Sequence, residues 1–240
     1  MKLHVIGSGS TGNCYVLKSS KGKTLILEAG CSLNDVQKQV EIIPSQCEGV
    51  LLTHEHGDHA GYWKDFVKAG LEIYTATATA EELGIEDDDY YPIGDIVKIV
   101  GEFDVVSFKV IHDAVCPLGF AIEHKEIGLM LFITDLGDEE INCPEADHWL
   151  IEANYSHDVV QARINRGESN AVLAERIANN HMSIEGCVNS LKNSFANKSK
   201  TITLCHLSAN NSDEKMFKRK VFDATGKIPN IAKKGLVIEL

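Results

Sequence analysis

Hydrophobic positions along the chain follow two rhythms, and the rhythm switches from segment to segment. Residues 2–6, 14–18 and 24–28 are short apolar runs that read as strands, the last two paired around the turn Ser20-Lys21-Gly22-Lys23. Residues 33–41 have helical spacing and stop before Pro44. A strand at 48–52 is followed by a helix over 62–69, with Trp63, Phe66 and Val67 on one side. A short strand at 72–74, a short helix at 77–84 and strands at 96–100 and 104–111 come next. Strands 119–124 and 128–134 pair across the turn at 125–128, and a further strand occupies 148–151. Helices follow at 157–166, at 169–179 and from Ser183, a candidate N-cap, to about residue 195. A strand at 200–205, a helix at 214–224 and a strand at 235–239 close the chain. Strands interleaved with helices define an α/β protein. No repeat, linker or low-complexity tract interrupts it, so residues 1–240 are expected to form a single domain.

Composition narrows the function. At 240 residues and 44% hydrophobic, the chain can bury a full core. No apolar run is long enough to span a bilayer, and the amino terminus enters strand-like sequence directly, which predicts a cytoplasmic protein with no membrane partner. The seven cysteines include no C-x-x-C pair, which points to free thiols in a reducing compartment. The net charge of −12 opposes generic polyanion binding. A local basic run at Lys215, Lys218, Arg219 and Lys220 reads as a solvated helix face, and the acidic run at 86–89 as a solvated loop.

The chemistry concentrates in Thr53-His54-Glu55-His56-Gly57-Asp58-His59, directly after an apolar strand. Three histidines and Asp58 within six positions are hard to explain by packing, because such groups are rarely buried without partners. Imidazole and carboxylate are the ligands that suit zinc and related divalent metals. In an extended segment His54 and His56 point to the same side, and Asp58 and His59 on the following turn can face a second metal. Upstream, the loop Gly7-Ser8-Gly9-Ser10-Thr11-Gly12-Asn13 lacks the Gly-Lys-Ser/Thr of a phosphate-binding P-loop and reads as a tight hairpin.

These motifs resemble the metallo-β-lactamase superfamily of metal hydrolases over essentially the whole chain. The opening Gly-Ser-Gly-Ser-Thr-Gly-Asn-Cys, the Thr-His-Glu-His-Gly-Asp-His core, Pro117-Leu118-Gly119-Phe120, Thr134-Asp135-Leu136-Gly137, Glu152-Ala153-Asn154 and His206-Leu207-Ser208 look like its YycJ-type branch, which is related to ribonuclease Z and associated with DNA cleavage. The resemblance implies a four-layer αββα sandwich of two mixed sheets flanked by helices. It implies two divalent metal ions, with Zn2+ the default and Mn2+ the alternative: His54, His56 and His112 on one, Asp58, His59 and His206 on the other, Asp135 bridging. A hydroxide activated by such a pair attacks a phosphodiester. The resemblance further assigns His181 to stabilising the phosphorane or protonating the leaving oxygen, and Glu152 to orienting His181. Asp58, His181 and Glu152 are therefore the expected catalytic residues. Glu28 stands where the family usually has Asp, and Asn180-His181-Met182-Ser183 where the branch usually has Gly-His-Leu-Ser. The implied substrate is DNA or RNA. The alternative is a small phosphodiester such as a cyclic nucleotide or cyclic phosphate, then a thioester, lactone or β-lactam, and lastly a metal-bearing binding protein without turnover.

Overall fold

The structure is a computed structural model and describes residues 1–138 and 140–240. In chain order its elements are β1 (Lys2–Gly7), β2 (Cys14–Lys18), β3 (Thr24–Leu27), α1 (Leu33–Gln39), β4 (Cys47–Leu51), α2 (Gly57–Ala60), α3 (Trp63–Lys68), β5 (Ile73–Thr75), α4 (Thr77–Leu83) and β6 (Tyr90–Pro92). There follow β7 (Lys98–Val100), β8 (Phe103–Lys109), β9 (Leu118–His124), β10 (Gly128–Ile133), β11 (His148–Glu152), α5 (His157–Asn165), α6 (Ala171–Asn180), α7 (Ile184–Asn193), β12 (Thr201–Cys205), α8 (Glu214–Thr225), β13 (Asn230–Ile231) and β14 (Val237–Glu239). The strands form two mixed seven-stranded sheets, ordered β14-β1-β2-β3-β4-β5-β6 and β13-β12-β11-β10-β9-β8-β7. The chain divides into two compact units.

The first unit comprises Met1–Lys109, Ala114–Leu129 and Ala232–Leu240. Strands β14, β1, β2 and β3 run antiparallel, as expected where the connecting turns are short. From β3 onward the pairing with β4, β5 and β6 is parallel, because α1, α3 and α4 now provide the crossovers. The core collects Ile6, Val16, Ile26, Val50, Phe66 and Ile73, all buried, with Trp63 and Val67 packed against them. Truncating Phe66 there would cost about 3–5 kcal/mol.

The second unit comprises Val110–Asp113 and Met130–Ile231. Its strands β10, β11, β12 and β13 are parallel throughout. Parallel strands are covered on both faces and read as continuous apolar runs; β11, His-Trp-Leu-Ile-Glu, is buried at every position. Trp149 anchors it, with Nε1 donating to Ser199 Oγ at 3.0 Å. Helices α5 to α7 connect β11 to β12, and α8 connects β12 to β13. Ser183 caps α7 as expected, accepting from Gly186 N.

Most predicted elements appear with ends shifted by a residue or two. The unpredicted ones are short. β6 is a sheet-edge strand that ends in Pro92, which cannot donate to a ladder. β13 spans two residues, and the turn expected after His56 is the one-turn helix α2.

Candidate metal centre

In open α/β sheets, ligand sites form beyond the carboxyl ends of the parallel strands, and the candidate residues lie there. In the first unit, β3 ends one residue before Glu28, and β4 ends two residues before Thr53 and the His-rich loop. His54 and His59 are buried, their ring centroids 4.2 Å apart, and His56 lies 4.7 Å from His54. His54 Nδ1 sits 2.8 Å from Thr53 Oγ1, which leaves Nε2 as the ring's second polar atom. Glu28 is fully buried at a left-handed φ of 69°, an unusual conformation for a side chain of this size. Its Oε2 accepts from Thr53 N at 3.4 Å and its Oε1 lies 3.6 Å from His59 Nδ1. Burial raises the Glu28 carboxyl above its ordinary range, and His59 and Thr53 offset that only in part. The extra methylene relative to Asp is accommodated, and the carboxylate still reaches His59.

The glycine-rich loop is more than a hairpin. Asn13 is fully buried at its end. Asn13 Oδ1 accepts from Gly9 N at 2.8 Å, while Nδ2 lies 3.0 Å from His59 Nε2 and 3.5 Å from Asp58 Oδ2. Its backbone N donates to Asp58 O at 2.7 Å, and its carbonyl accepts from Gly30 N at 2.9 Å. This stacking requires glycine: a Cβ on Gly30 would fall 1.8 Å from the Asp58 carbonyl oxygen. Asn13 was missed in the sequence because its signal, an Asn closing a Gly-Ser loop, is common in turns.

In the second unit, β10, β11 and β12 deliver Asp135, Glu152 and His206. Asp135 and His206 hold left-handed φ values of 48° and 53°, so both strands turn sharply as they present these side chains. Glu152 is completely buried and fully engaged. Its Oε1 faces His181 Nδ1 at 2.8 Å and His206 Nδ1 at 3.0 Å. Its Oε2 accepts from Leu136 N at 2.9 Å and Met182 N at 3.2 Å. His206 Nδ1 is also 2.9 Å from Asp135 Oδ1. His112 Nδ1 sits 2.8 Å from the Asn180 carbonyl, and its Nε2 lies 3.6 Å from Asp135 Oδ2. Asn154 Nδ2 donates to the His206 carbonyl at 2.8 Å, a supporting role not read from the Glu-Ala-Asn motif.

Burial alone would raise the Glu152 carboxyl, but the His181 charge and hydrogen bonds from His181 and His206 hold it below its ordinary value. Burial alone would lower His181, but Glu152 and then Asp135 carry it above its ordinary value. Each group thus favours the charged form of the other, imidazolium on His181 and carboxylate on Glu152.

A profile of the metallo-β-lactamase superfamily matches residues 7–72. The exodeoxyribonuclease WalJ of Streptococcus pneumoniae is 31% identical over 229 residues, covering 88% of this chain and 83% of that protein. The exodeoxyribonuclease YycJ of Bacillus anthracis is 31% identical over 240 residues, covering 92% and 88%. The chain belongs to the metallo-β-lactamase superfamily. Within it, the similarity is to the YycJ-type branch. Among solved structures, the metallo-β-lactamase fold protein YhfI of Bacillus subtilis aligns with a TM-score of 0.75 at 19% identity, over 100% of this chain and 99% of that one. The short form of human tRNase Z aligns with a TM-score of 0.64 at 16% identity, over 100% and 99%. The two mixed seven-stranded sheets flanked by helices are thus the superfamily's fold.

Membership makes the protein a metal-dependent hydrolase, and its donors fit divalent cations. Ligand atoms of Asp135, Glu152, His181 and His206 all lie within 4.8 Å of one another. In the first unit His54, His56, Asp58 and His59 come from one loop and its one-turn helix, with Glu28 and Asn13 behind them. Imidazoles and carboxylates suit such ions. The basic run expected to be solvated lies on α8, with Lys215, Lys218 and Arg219 exposed and Lys220 paired to Glu185 at 2.5 Å.

Proposed function

We propose that the protein is a metal-dependent nuclease that cleaves phosphodiester bonds in DNA or RNA, with residues 1–240 acting as one catalytic domain. The observation that carries this reading is the buried Glu152 carboxylate clamping both His181 and His206. In this assignment His54, His56 and His112 hold one divalent ion, Asp58, His59 and His206 hold the second, and Asp135 serves both. Zn2+ suits the imidazole-rich set, and Mn2+ is the alternative because Asp58 and Asp135 are hard oxygen donors. When bound, the ions supply positive charge to the phosphoryl group and make a water nucleophilic near neutral pH.

The remaining work falls to side chains. His181 Nδ1 is committed to Glu152, so Nε2 is the nitrogen available to substrate. From there it donates a proton to the leaving oxygen as the P–O bond breaks, and Glu152 keeps the ring charged and oriented. Asn13 and Glu28 fix Asp58 and His59. The names of the WalJ and YycJ relatives support DNA as the polymer and an exonucleolytic mode. Seven free cysteines support a reducing, cytoplasmic setting.

A His181→Ala variant should keep its full metal content and lose about 10²–10⁴-fold in turnover. Wild-type turnover at full metal content would remove His181 from the chemistry. The net charge of −12 favours a second reading, a small phosphodiester substrate. Salt separates the two, because polymer affinity falls steeply with salt and small-substrate affinity does not.

A further inference from the structure

A groove of about 590 Å³ runs between the segment at 111–113 and one face of α6. Val172, Arg176 and Asn179 are spaced one helical turn apart on that face and line the groove with Ile111, His112 and Asp113. Two of its lining residues, His112 and Asn180, adjoin the candidate centre. His112 lies 3.6 Å from Asp135, and α6 runs directly into His181.

Two features of α6 are unexplained by packing. None of its residues is fully buried, although helices are normally held by an apolar face. Instead Val172 is 78% exposed, and Ile111 across the groove is 55% exposed. Arg176 is also exposed and has no ion pair or hydrogen bond among the described residues. An uncommitted guanidinium is notable in a chain of net charge −12. Asp113 and Glu175 line the same groove, so it presents one cation between two carboxylates and is not a generic polyanion surface.

We infer that this groove seats the nucleotide flanking the scissile phosphate of a single-stranded nucleic acid. Arg176 holds that nucleotide's own phosphate, bidentate geometry being the guanidinium's particular strength. Ile111 and Val172 cover one face of its base. Asp113 and Glu175 restrict the groove to this single phosphate by repelling the next. This assignment rests on the nuclease reading, and it makes Arg176 a substrate-binding residue remote from bond breaking.

The test is steady-state cleavage of a labelled single-stranded oligonucleotide by wild-type, Arg176→Ala and Glu175→Gln protein, beside hydrolysis of bis(p-nitrophenyl) phosphate, which is too small to span both the centre and the groove. Arg176→Ala should raise KM for the oligonucleotide about tenfold with kcat unchanged, and shallow the salt slope by about one. Glu175→Gln should lower the same KM severalfold. Neither variant should alter turnover of the small diester. Oligonucleotide cleavage with an unchanged KM in Arg176→Ala would overturn the groove assignment and leave the nuclease reading standing. Equal losses on both substrates would reduce Arg176 to a structural role. Wild-type protein that hydrolyses the small diester and cleaves no polymer would overturn the nuclease reading, and the groove assignment with it.

Discussion

The sharpest perturbation is Glu152→Gln, which keeps the shape of a fully buried side chain and changes only what its atoms offer. In the native chain all four neighbours at 2.8–3.2 Å are donors: two imidazole nitrogens on Oε1, and Leu136 N and Met182 N on Oε2. A carboxylate accepts from all four, and an amide cannot. If the amide nitrogen faces the two backbone N–H groups, both are left unsatisfied, at about 1–3 kcal/mol each. If it faces the imidazoles, both rings must accept at Nδ1, and their protons move to Nε2. His206 then loses its ligand lone pair, and His181 loses the negative charge that keeps it protonated. The first orientation predicts a loss of about 2–6 kcal/mol, or a Tm fall of roughly 4–24 °C for a chain of this size. The second predicts loss of one metal equivalent and a fall in kcat of about 10²–10⁴. Urea unfolding, metal analysis and turnover of bis(p-nitrophenyl) phosphate read these outcomes separately. A Glu152→Gln protein with wild-type stability, metal content and kcat would mean that Glu152 does not need to accept from all four neighbours.

Four further outcomes follow from the same geometry. Gly30→Ala places a Cβ 1.8 Å from the Asp58 carbonyl, so the variant should lose about 3 kcal/mol or more by chemical denaturation, with weakened metal retention. Asn13→Ala removes the amide beside Asp58 and His59 and should lower metal affinity about 10–100-fold by competition with a chelator, the fold remaining intact by circular dichroism. Partial burial pushes the Glu126 carboxyl up, but Ser20 and the Met1 ammonium hold it at about 2. Its contribution is therefore present above the unfolded value near 4.5 and lost as pH falls toward 2; after solvent screening, Glu126→Gln should cost about 1 kcal/mol at pH 7, and the gap should close on acidification. Cys14, Cys187 and Cys205 are buried, so a thiol reagent should label them only on unfolding.

Much of the centre was legible because its residues end apolar strands. An apolar run that stops at a His is a strong signal in sequence and drew attention to His54, while Asp135, Glu152 and His206 were singled out by family motifs that fall where such runs end. His112 and His181 were legible only by their order relative to those motifs. The supporting shell was less visible. Asn13 acts through a backbone stack that depends on Gly30; Asn13 stands forty-five residues before its partner Asp58, a spacing no local pattern encodes, and only the fold brings the two together. Asp138 was likewise silent, yet its Oδ1 accepts from Ser183 N at 2.9 Å and so ties the Asp135 turn to the His181 segment. The left-handed turns at Glu28, Asp135 and His206 could not be read either, since none is a glycine. Edge strands β6 and β13 escaped because two or three residues carry no periodicity.

The most direct test of the central claim uses metal-stripped protein, with Zn2+ or Mn2+ restored separately, on end-labelled single-stranded DNA and RNA. Cleavage should be absent without metal, return on restoration, and be lost in Asp58→Ala. Cleavage that persists in the stripped protein, or metal-loaded protein that leaves every polymer intact, would contradict that claim.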